Sequence, residues 1–82
     1  MSLREYRRLV RAITRIERTY VLLQELREAS PWAEDPSVQE QIRRLRGIAD
    51  QLFRIGANAA QRRGELDVFN QLYLREGGSE ID

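Results

Sequence analysis

Apolar residues recur at alternating spacings of three and four along two long stretches of this sequence. In the first stretch they are Tyr6, Leu9, Ile13, Ile16, Tyr20 and Leu23. In the second, seam positions of the same repeat hold Val38, Leu45, Ile48, Leu52, Ile55, Ala59, Leu66, Phe69 and Tyr73. This spacing places each set on one side of an α-helix, where it forms a seam for packing against another helix. The sequence therefore predicts an all-α protein, an antiparallel helical hairpin.

Proline and capping residues set the expected limits of the first helix. Helix 1 is predicted over about residues 2–29, with Ser2 as its N-cap, since serine readily accepts a hydrogen bond from the first helical turn. Pro31 disfavours the helical conformation at the residue before it. The chain is therefore expected to leave the helix there and to form a turn over residues 30–36.

The second helix is expected to begin at the pair Asp35-Pro36. Aspartate is favoured at the N-cap, and a proline at the first helical position lacks only a donor that has no partner there. Helix 2 is predicted over about residues 36–76, followed by a frayed tail at residues 77–82. The whole chain, residues 1–82, then forms a single helical domain.

Gly64 is the weak point of helix 2. A glycine inside a helix costs about 1 kcal/mol relative to alanine, so a break there would give a short third helix over residues 65–76. However, Ala59, Leu66 and Tyr73 follow one another seven residues apart, as in one unbroken repeat. We therefore favour a continuous or merely kinked helix, whose acidic end extends past the start of helix 1.

The composition and the motifs argue against catalysis. The 82 residues contain neither cysteine nor histidine, which removes thiol nucleophiles, thiolate ligands and the imidazole that most often serves as a base or metal ligand. No glycine-rich phosphate loop occurs either. We therefore predict that the protein is not an enzyme, has no catalytic or metal-binding residue and uses no cofactor.

No stretch of the sequence is long and apolar enough to span a membrane. The longest apolar run in the predicted helices, residues 20–23, is far shorter than the roughly 20 residues that a spanning helix needs. Arginine and glutamate also interrupt every candidate signal-peptide core near the start. The expected location is the cytoplasm.

Several apolar residues lie outside the two seams and need a cover. On helix 1 they are Val21, Leu22 and Leu26, and on helix 2 Phe53 is the largest. Two helices alone bury too little area to cover them all. One solution is a homodimer that forms a four-helix bundle, and the alternative is a groove for a different protein. The two solutions can coexist, and these four residues are predicted interface residues.

Helix 2 also carries a run of small residues, Gly56-Ala57-Asn58-Ala59-Ala60. Gly56 and Ala60 lie four residues apart, a spacing that lets a second helix approach closely. We favour a tight helix crossing in the core, where a bulky substitution would do most harm. Gly56 and Ala60 are nevertheless kept as candidates for the oligomer or partner interface.

Trp32 stands in the connector between the helices. A tryptophan there is either a lid over the end of the helix pair or an exposed anchor for a partner. We favour the lid, since large aromatic side chains are mostly buried.

All 14 basic residues are arginine, and five of them form a stripe along helix 1. The stripe consists of Arg4, Arg8, Arg11, Arg15 and Arg18, which step by four and three and so share the face opposite the seam. The stripe is a solvated face, a face neutralised by the protein's own acidic tail in a dimer, or a contact surface for an acidic protein or phosphate. Codon bias and selection for bidentate donors both account for the absence of lysine.

Together these features favour a non-enzymatic protein-binding module, such as a small regulator, inhibitor or escort of the chaperone or adaptor type. Its expected partners are a second copy of itself and another protein, bound through apolar helix faces and the arginine stripe. The alternative is a dimeric nucleic-acid-binding protein that uses the same stripe, although the net charge is only +1. The chain carries no motif that is diagnostic of a known family.

Overall fold

The computed structural model describes residues 2–78, apart from the side chain of Ala33, and is all-helical. Helix α1 spans Leu3–Ala29, a short 3-10 helix spans Pro31–Glu34, α2 spans Pro36–Arg62 and α3 spans Leu66–Arg75. No strand occurs within residues 2–78. The predicted all-α class is therefore confirmed, with three α-helices in place of two. The predicted fraying of the tail falls mainly on residues 79–82, which lie outside the described residues.

The first helix begins and ends where its capping residues predict. Ser2 Oγ accepts a hydrogen bond from the Glu5 backbone N–H at 3.3 Å, and Glu5 Oε1 accepts one from the Ser2 backbone N–H at 3.0 Å. This reciprocal capping box satisfies backbone donors that lack partners at a helix start. At the other end Ser30 is extended, with φ −137° and ψ 134°, because Pro31 follows it.

One turn of 3-10 helix joins the two long helices, and Asp35 starts the second. Asp35 Oδ1 accepts hydrogen bonds from the Ser37 backbone N–H at 2.9 Å and from the Ser37 hydroxyl at 2.8 Å. Pro36 occupies the first helical position, as predicted. The guanidinium of Arg46 lies 5.4 Å from the centroid of the Tyr20 ring, so the end of α1 runs beside the start of α2 in an antiparallel pair.

The second helix ends at Arg62, and the prediction of a continuous helix over residues 36–76 is wrong. Gly64 has φ +71°, a left-handed conformation that glycine adopts without steric cost. The Gly64 N–H donates to the Gln61 carbonyl at 3.0 Å, and the next N–H donates to the Ala60 carbonyl at 2.8 Å. These two bonds form a Schellman motif, which ends the helix and lets the chain turn back.

Helix α3 folds back against α1 and α2, so the acidic segment does not extend past the start of helix 1 as expected. The three helices share one core, which contains Tyr6, Val10, Ile13, Ala60, Phe69, Leu72 and Tyr73. The rings of Tyr6 and Phe69 pack edge to face, with their centroids 6.1 Å apart. A hydrogen bond from the Tyr73 hydroxyl to Glu17 fixes the far end of α3 on α1.

The buried line of α2 differs from the predicted seam. Ile42, Ala49 and Gly56 lie seven residues apart and are buried. Ile48 and Ile55, which the heptad pattern placed in the seam, are 49% and 63% exposed. The helix is rotated because α2 must contact both α1 and α3, and its smallest side chains allow the closest approach to both.

Gly56 marks the tightest crossing of the three helices, as the run of small residues predicts. A Cβ atom added there would lie 2.8 Å from Leu9 Cδ2 and 2.8 Å from Phe69 Cζ. Real Cβ contacts essentially never come so close, so any larger residue must displace its neighbours. The small-residue run therefore serves the core of the single chain.

The molecule divides along its length into two unequal halves. The three-helix half comprises residues 2–18 and 51–78, and the two-helix half comprises residues 19–50. Helix α3 has 10 residues, about 15 Å, whereas α1 and α2 have 27 residues each, about 40 Å. The two-helix half lacks a third layer, and Ile42 and Ala49 are the only buried residues among its described side chains.

Candidate protein-interaction surfaces

The predicted arginine stripe lies on the exposed surface of α1. All five of its members are exposed, namely Arg4, Arg8, Arg11, Arg15 and Arg18. Their side chains fall into two groups, according to whether they contact α3.

Two of the stripe arginines bind the end of α3. Arg11 Nε lies 3.0 Å from Glu76 Oε1 in an ion pair, and Arg18 Nη2 donates a 2.8 Å hydrogen bond to the Glu76 backbone carbonyl. Cations at the C-terminal end of a helix also interact favourably with the helix dipole. The acidic segment therefore neutralises part of the stripe within one chain, which corrects the expectation that it extends away from helix 1.

The other three stripe arginines, Arg4, Arg8 and Arg15, form no ion pair within residues 2–78. On α2, by contrast, Arg43 Nη1 lies 3.1 Å from Glu40 Oε2 in an exposed ion pair one turn apart. Part of α1 therefore presents three cationic groups that have no ion-pair partner in the described chain. Such groups attract acidic partners by long-range electrostatics.

The exposed face of α1 changes from basic to apolar along its length. Leu22 follows Arg15 by seven residues and Leu26 follows Leu22 by four, so both continue the line of the arginine stripe. Leu22 is 64% exposed, the largest value among the exposed large hydrophobic residues. We call this line the outer strip of α1, and it consists of Arg4, Arg8, Arg11, Arg15, Arg18, Leu22 and Leu26.

Val21 lies beside the outer strip, at the place where α3 stops covering α1. It follows Thr14 by seven residues and so shares one side of the helix with it. Thr14 is buried, whereas Val21 is exposed. The face of α1 that is buried at Thr14 is therefore uncovered seven residues later, at Val21, because α3 has ended.

The other three predicted interface residues, Phe53, Gly56 and Ala60, pack inward. Ala60 is 0% exposed, Gly56 is buried, and the half-buried Phe53 ring packs on the core with its centroid 4.7 Å from that of Tyr73. This placement corrects their assignment to an interface, because α3 already covers them. The interface hypothesis continues with Val21, Leu22 and Leu26.

A second apolar line runs along α2, beside its buried line. We call it the α2 stripe, and it consists of Leu45, Ile48, Leu52, Ile55 and Ala59. These positions step by three and four, so they share one helix face. Its two isoleucines are both exposed. Leu45, Leu52 and Ala59 are half-buried, and Leu52 packs against the core. The heptad pattern therefore identified a real apolar face, which the single chain buries only in part.

The α2 stripe opens at the turn end of the hairpin into an apolar groove of about 660 Å³. Its lining includes Leu23 of α1, Trp32 of the connector, and Val38, Leu45 and Ile48 of α2. Trp32 lies against this groove but remains 48% exposed. The tryptophan therefore forms one wall of an open groove and is not the closed lid that the sequence favoured.

A hydrogen bond between Tyr6 and Glu65 fastens the start of α3 to α1. The Tyr6 hydroxyl donates to Glu65 Oε1 at 2.9 Å. Burial, followed by this contact with a carboxylate, raises the pKa of Tyr6 above its ordinary value. The hydrogen bond from Tyr6, followed by contacts with Arg63, lowers the pKa of Glu65. These shifts belong to a structural link between two helices.

The described part of the chain offers little for other kinds of chemistry. Among residues 2–78, no group of three or more acidic side chains is placed to hold a metal ion. None of the described helices combines the length and the hydropathy that a membrane crossing requires. The features that the structure does bring together are exposed apolar faces and unpaired cations.

No protein-family model matches this chain, and no curated protein and no solved structure matches it either. The interpretation of its surfaces therefore depends on the residues and their geometry alone.

Sequence reasoning missed the role of Glu76 as the counter-charge of the stripe. The sequence contains two signals that the acidic segment folds back. The first is a glycine on each side of α3, Gly64 and Gly77, which both adopt positive φ and form the same kind of helix cap in the structure. Residues 64–76 also carry more acidic than basic side chains. A glycine-bounded acidic segment of ten or so residues beside a basic helix favours folding back over extension.

Proposed function

We propose that this protein is a non-enzymatic protein-binding module that binds another protein through the outer strip of α1. The partner is an amphipathic segment with acidic residues opposite Arg4, Arg8 and Arg15 and with apolar residues opposite Leu22 and Leu26. Regulators, inhibitors and escort proteins of the chaperone or adaptor type act in this way. A second copy of the chain is also a partner in this proposal, because the two-helix half lacks the area to cover its own apolar residues.

One observation carries the proposal, namely the outer strip itself. It joins three arginines that have no ion pair in the described chain to the most exposed large hydrophobic residue among residues 2–78. From Arg4 to Leu26 the strip extends about 33 Å along one side of α1. Apolar anchors give most of the affinity at a protein interface, whereas flanking charges mainly set the association rate and specificity.

The test is quantitative affinity capture from a lysate with matched variants. Leu22→Gln/Leu26→Gln removes the apolar end of the strip, and Arg8→Gln/Arg15→Gln removes unpaired cations. Leu74→Gln serves as the control, since Leu74 is a leucine of α3 exposed to a similar extent as Leu26. The expected result is a defined protein that the wild type and the control retain, that the leucine variant loses, and that the arginine variant retains less.

Circular dichroism confirms that each variant is folded before its capture is compared. Equal retention by the wild type and by both strip variants would contradict the proposal. Loss in the control alone would move the binding surface to α3.

A second candidate function, nucleic-acid binding by a dimer, follows from the same three unpaired arginines. Phosphate contacts make affinity fall steeply with salt, with a slope of about −0.9 per neutralised phosphate on duplex DNA. Arg4→Gln, Arg8→Gln and Arg15→Gln should then each lower that slope by about one, whereas Leu22→Gln should leave the slope unchanged. Filter binding of a duplex at several salt concentrations measures both. Two stripe arginines are already bound to Glu76, and therefore we favour the protein partner.

A further inference from the structure

We infer that the α2 stripe is covered by a second copy of this chain, packed antiparallel about a two-fold axis that passes between Gln51 and Leu52. This surface differs from the outer strip of α1. The inference rests on the part of the proposed function in which a second copy of the chain is a partner, and it is separate from the partner protein on the outer strip.

The geometry of the stripe is that of a helix-pairing face. Leu45, Ile48, Leu52, Ile55 and Ala59 keep the three-four spacing of helices that pack side by side over many turns. Its most exposed members are β-branched isoleucines with stiff side chains, so little side-chain entropy is lost when they are covered. A helix face that remains in water does not require apolar residues at this spacing.

The two exposed isoleucines of the stripe are placed symmetrically about one point of the helix. Ile48 and Ile55 are equally far along the helix from the point between Gln51 and Leu52. A two-fold axis at that point places Ile48 of one copy opposite Ile55 of the other. Two-fold interfaces require such a patch, because the same surface contributes both sides of the contact.

The net charges of the two halves, taken as wholes, favour the antiparallel orientation. The two-helix half, residues 19–50, contains four arginines and six acidic residues, a formal charge of −2. Residues 2–18 and 51–78 contain ten arginines and five acidic residues, a formal charge of +5. Antiparallel pairing places the negative half of each copy on the positive half of the other, whereas parallel pairing places like charges together.

The surface area of the chain agrees with an uncovered interface. A compact monomer of 9.7 kDa is expected to expose about 5,100 Å². This chain exposes 6000 Å² and measures 47 × 23 × 20 Å. The difference, about 900 Å², is close to the roughly 800 Å² that each partner loses in a standard-size protein interface.

Light scattering coupled to size exclusion tests the surface. The wild type should have twice the 9.7 kDa mass of the chain, and raising the salt should weaken the dimer. Ile48→Gln/Ile55→Gln should raise the dimer Kd by about a hundredfold or more, because each dimer loses four covered apolar side chains. Leu22→Gln/Leu26→Gln is the matched control on the outer strip and should leave the dimer intact. A monomeric wild type, or a dimer that only the control variant dissociates, overturns the inference.

Engineered cysteines test the orientation, since the natural chain contains none. In the antiparallel dimer, Ile48→Cys mixed with Ile55→Cys should form a disulfide-linked pair under mild oxidation. Each variant alone should not, because its two cysteines lie about 10 Å apart along the helices, beyond the reach of a disulfide. A disulfide formed by Ile48→Cys with itself would indicate parallel pairing and overturn the orientation. Mass spectrometry distinguishes the mixed pair from self-pairs.

Discussion

The two halves of this molecule are built from the same two long helices, but the core cluster of the described residues lies in the three-helix half. In that half α3 covers the groove between α1 and α2, and Tyr6, Ile13 and Phe69 are buried completely. In the two-helix half the groove stays open, and Leu22, Trp32 and Ile48 are about half exposed or more. The apolar content of the helices does not drop between the halves. The halves differ because α3 packs against the apolar side chains in one half and is absent from the other.

This difference shows what a heptad seam can and cannot do. A heptad seam lets each helix pack against one neighbouring helix. Two helices that pack along one seam still expose the helix surfaces on both sides of that seam. Burial on both flanks requires a third element, as in most stable helical domains. The two-helix half thus has the chemistry of a protein core and the exposure of a surface, which is the combination expected of an interaction site.

The largest expected contrast between the halves comes from removing one large side chain from each. Phe69→Ala should lower the free energy of unfolding by about 3–5 kcal/mol, because it leaves a cavity in the core cluster of the three-helix half. Leu22→Ala should change it by less than about 0.5 kcal/mol, because most of that side chain is already in water. Urea unfolding followed by circular dichroism measures both. Similar losses for the two variants would show that the halves do not differ as described.

A second contrast adds a methyl group to one glycine in each half. Gly56→Ala should lower the free energy of unfolding by about 1–3 kcal/mol, because the new Cβ would overlap Leu9 and the buried Phe69. Gly47→Ala is the matched control in the two-helix half. No atom lies within 4 Å of a Cβ there, so the change should raise stability by up to about 1 kcal/mol through helix propensity. Thermal unfolding of both variants at the same pH gives the comparison, and a stabilising Gly56→Ala would mean that the crossing is loose.

The turn that creates the third layer can be weakened on its own. Gly64→Ala should cost about 1–2 kcal/mol, because alanine is strained at φ +71° even though there is space for its side chain. The loss should be local, with faster hydrogen exchange in α3 and little change at the turn end of the hairpin. Hydrogen exchange followed by mass spectrometry resolves the two regions. Uniform acceleration across α1 and α2 would show that the hairpin does not survive when α3 is released.

The smallest expected effect is a pH dependence whose link between helices lies in the three-helix half. The folded-state pKa of Glu65 is lowered from its ordinary value of 4.5, mainly by the hydrogen bond from Tyr6. Its contribution to stability is therefore complete above about pH 4.5 and is lost as the pH falls through the lower folded value. Glu5 and Asp35 shift in the same direction through their caps. Glu65→Gln should flatten this acid loss in urea unfolding between neutral and acidic pH, and an unchanged slope would contradict the assignment.

The sequence predicted both ends of α1 and the start of α2 well because these three helix ends depend on local chemistry. Ser2, Pro31 and the Asp35-Pro36 pair each act within one turn of the chain, so their effect does not depend on the rest of the fold. The all-helical class followed from the spacing of apolar residues in the same way. The arginine stripe was also predicted correctly as an exposed face of α1.

The missed features are those that depend on contacts between distant segments. The heptad spacing through Gly64 predicted continuity, since seven-residue spacing alone cannot distinguish one helix from two that each keep the phase. The seam of α2 was misplaced because two apolar lines run along that helix. The apolar line through Ala49 and Gly56 is buried because other helices pack closely against it. The sequence alone does not show which of the two apolar lines of α2 these helices contact.

The point where the chain leaves α3 has a consequence for design. A Cβ at Gly77 would lie 3.2 Å from Arg18 Nη2, so the third helix stops partway along α1 and points toward the uncovered half. From Arg18 to the end of α1 is about 17 Å, a distance that roughly eleven further helical residues would cover. Replacing the cap at Gly77 and Gly78 with such an extension, apolar toward Val21, would convert the hairpin into a full-length three-helix bundle. About three more turns of helix would therefore be enough to cover the open two-helix half.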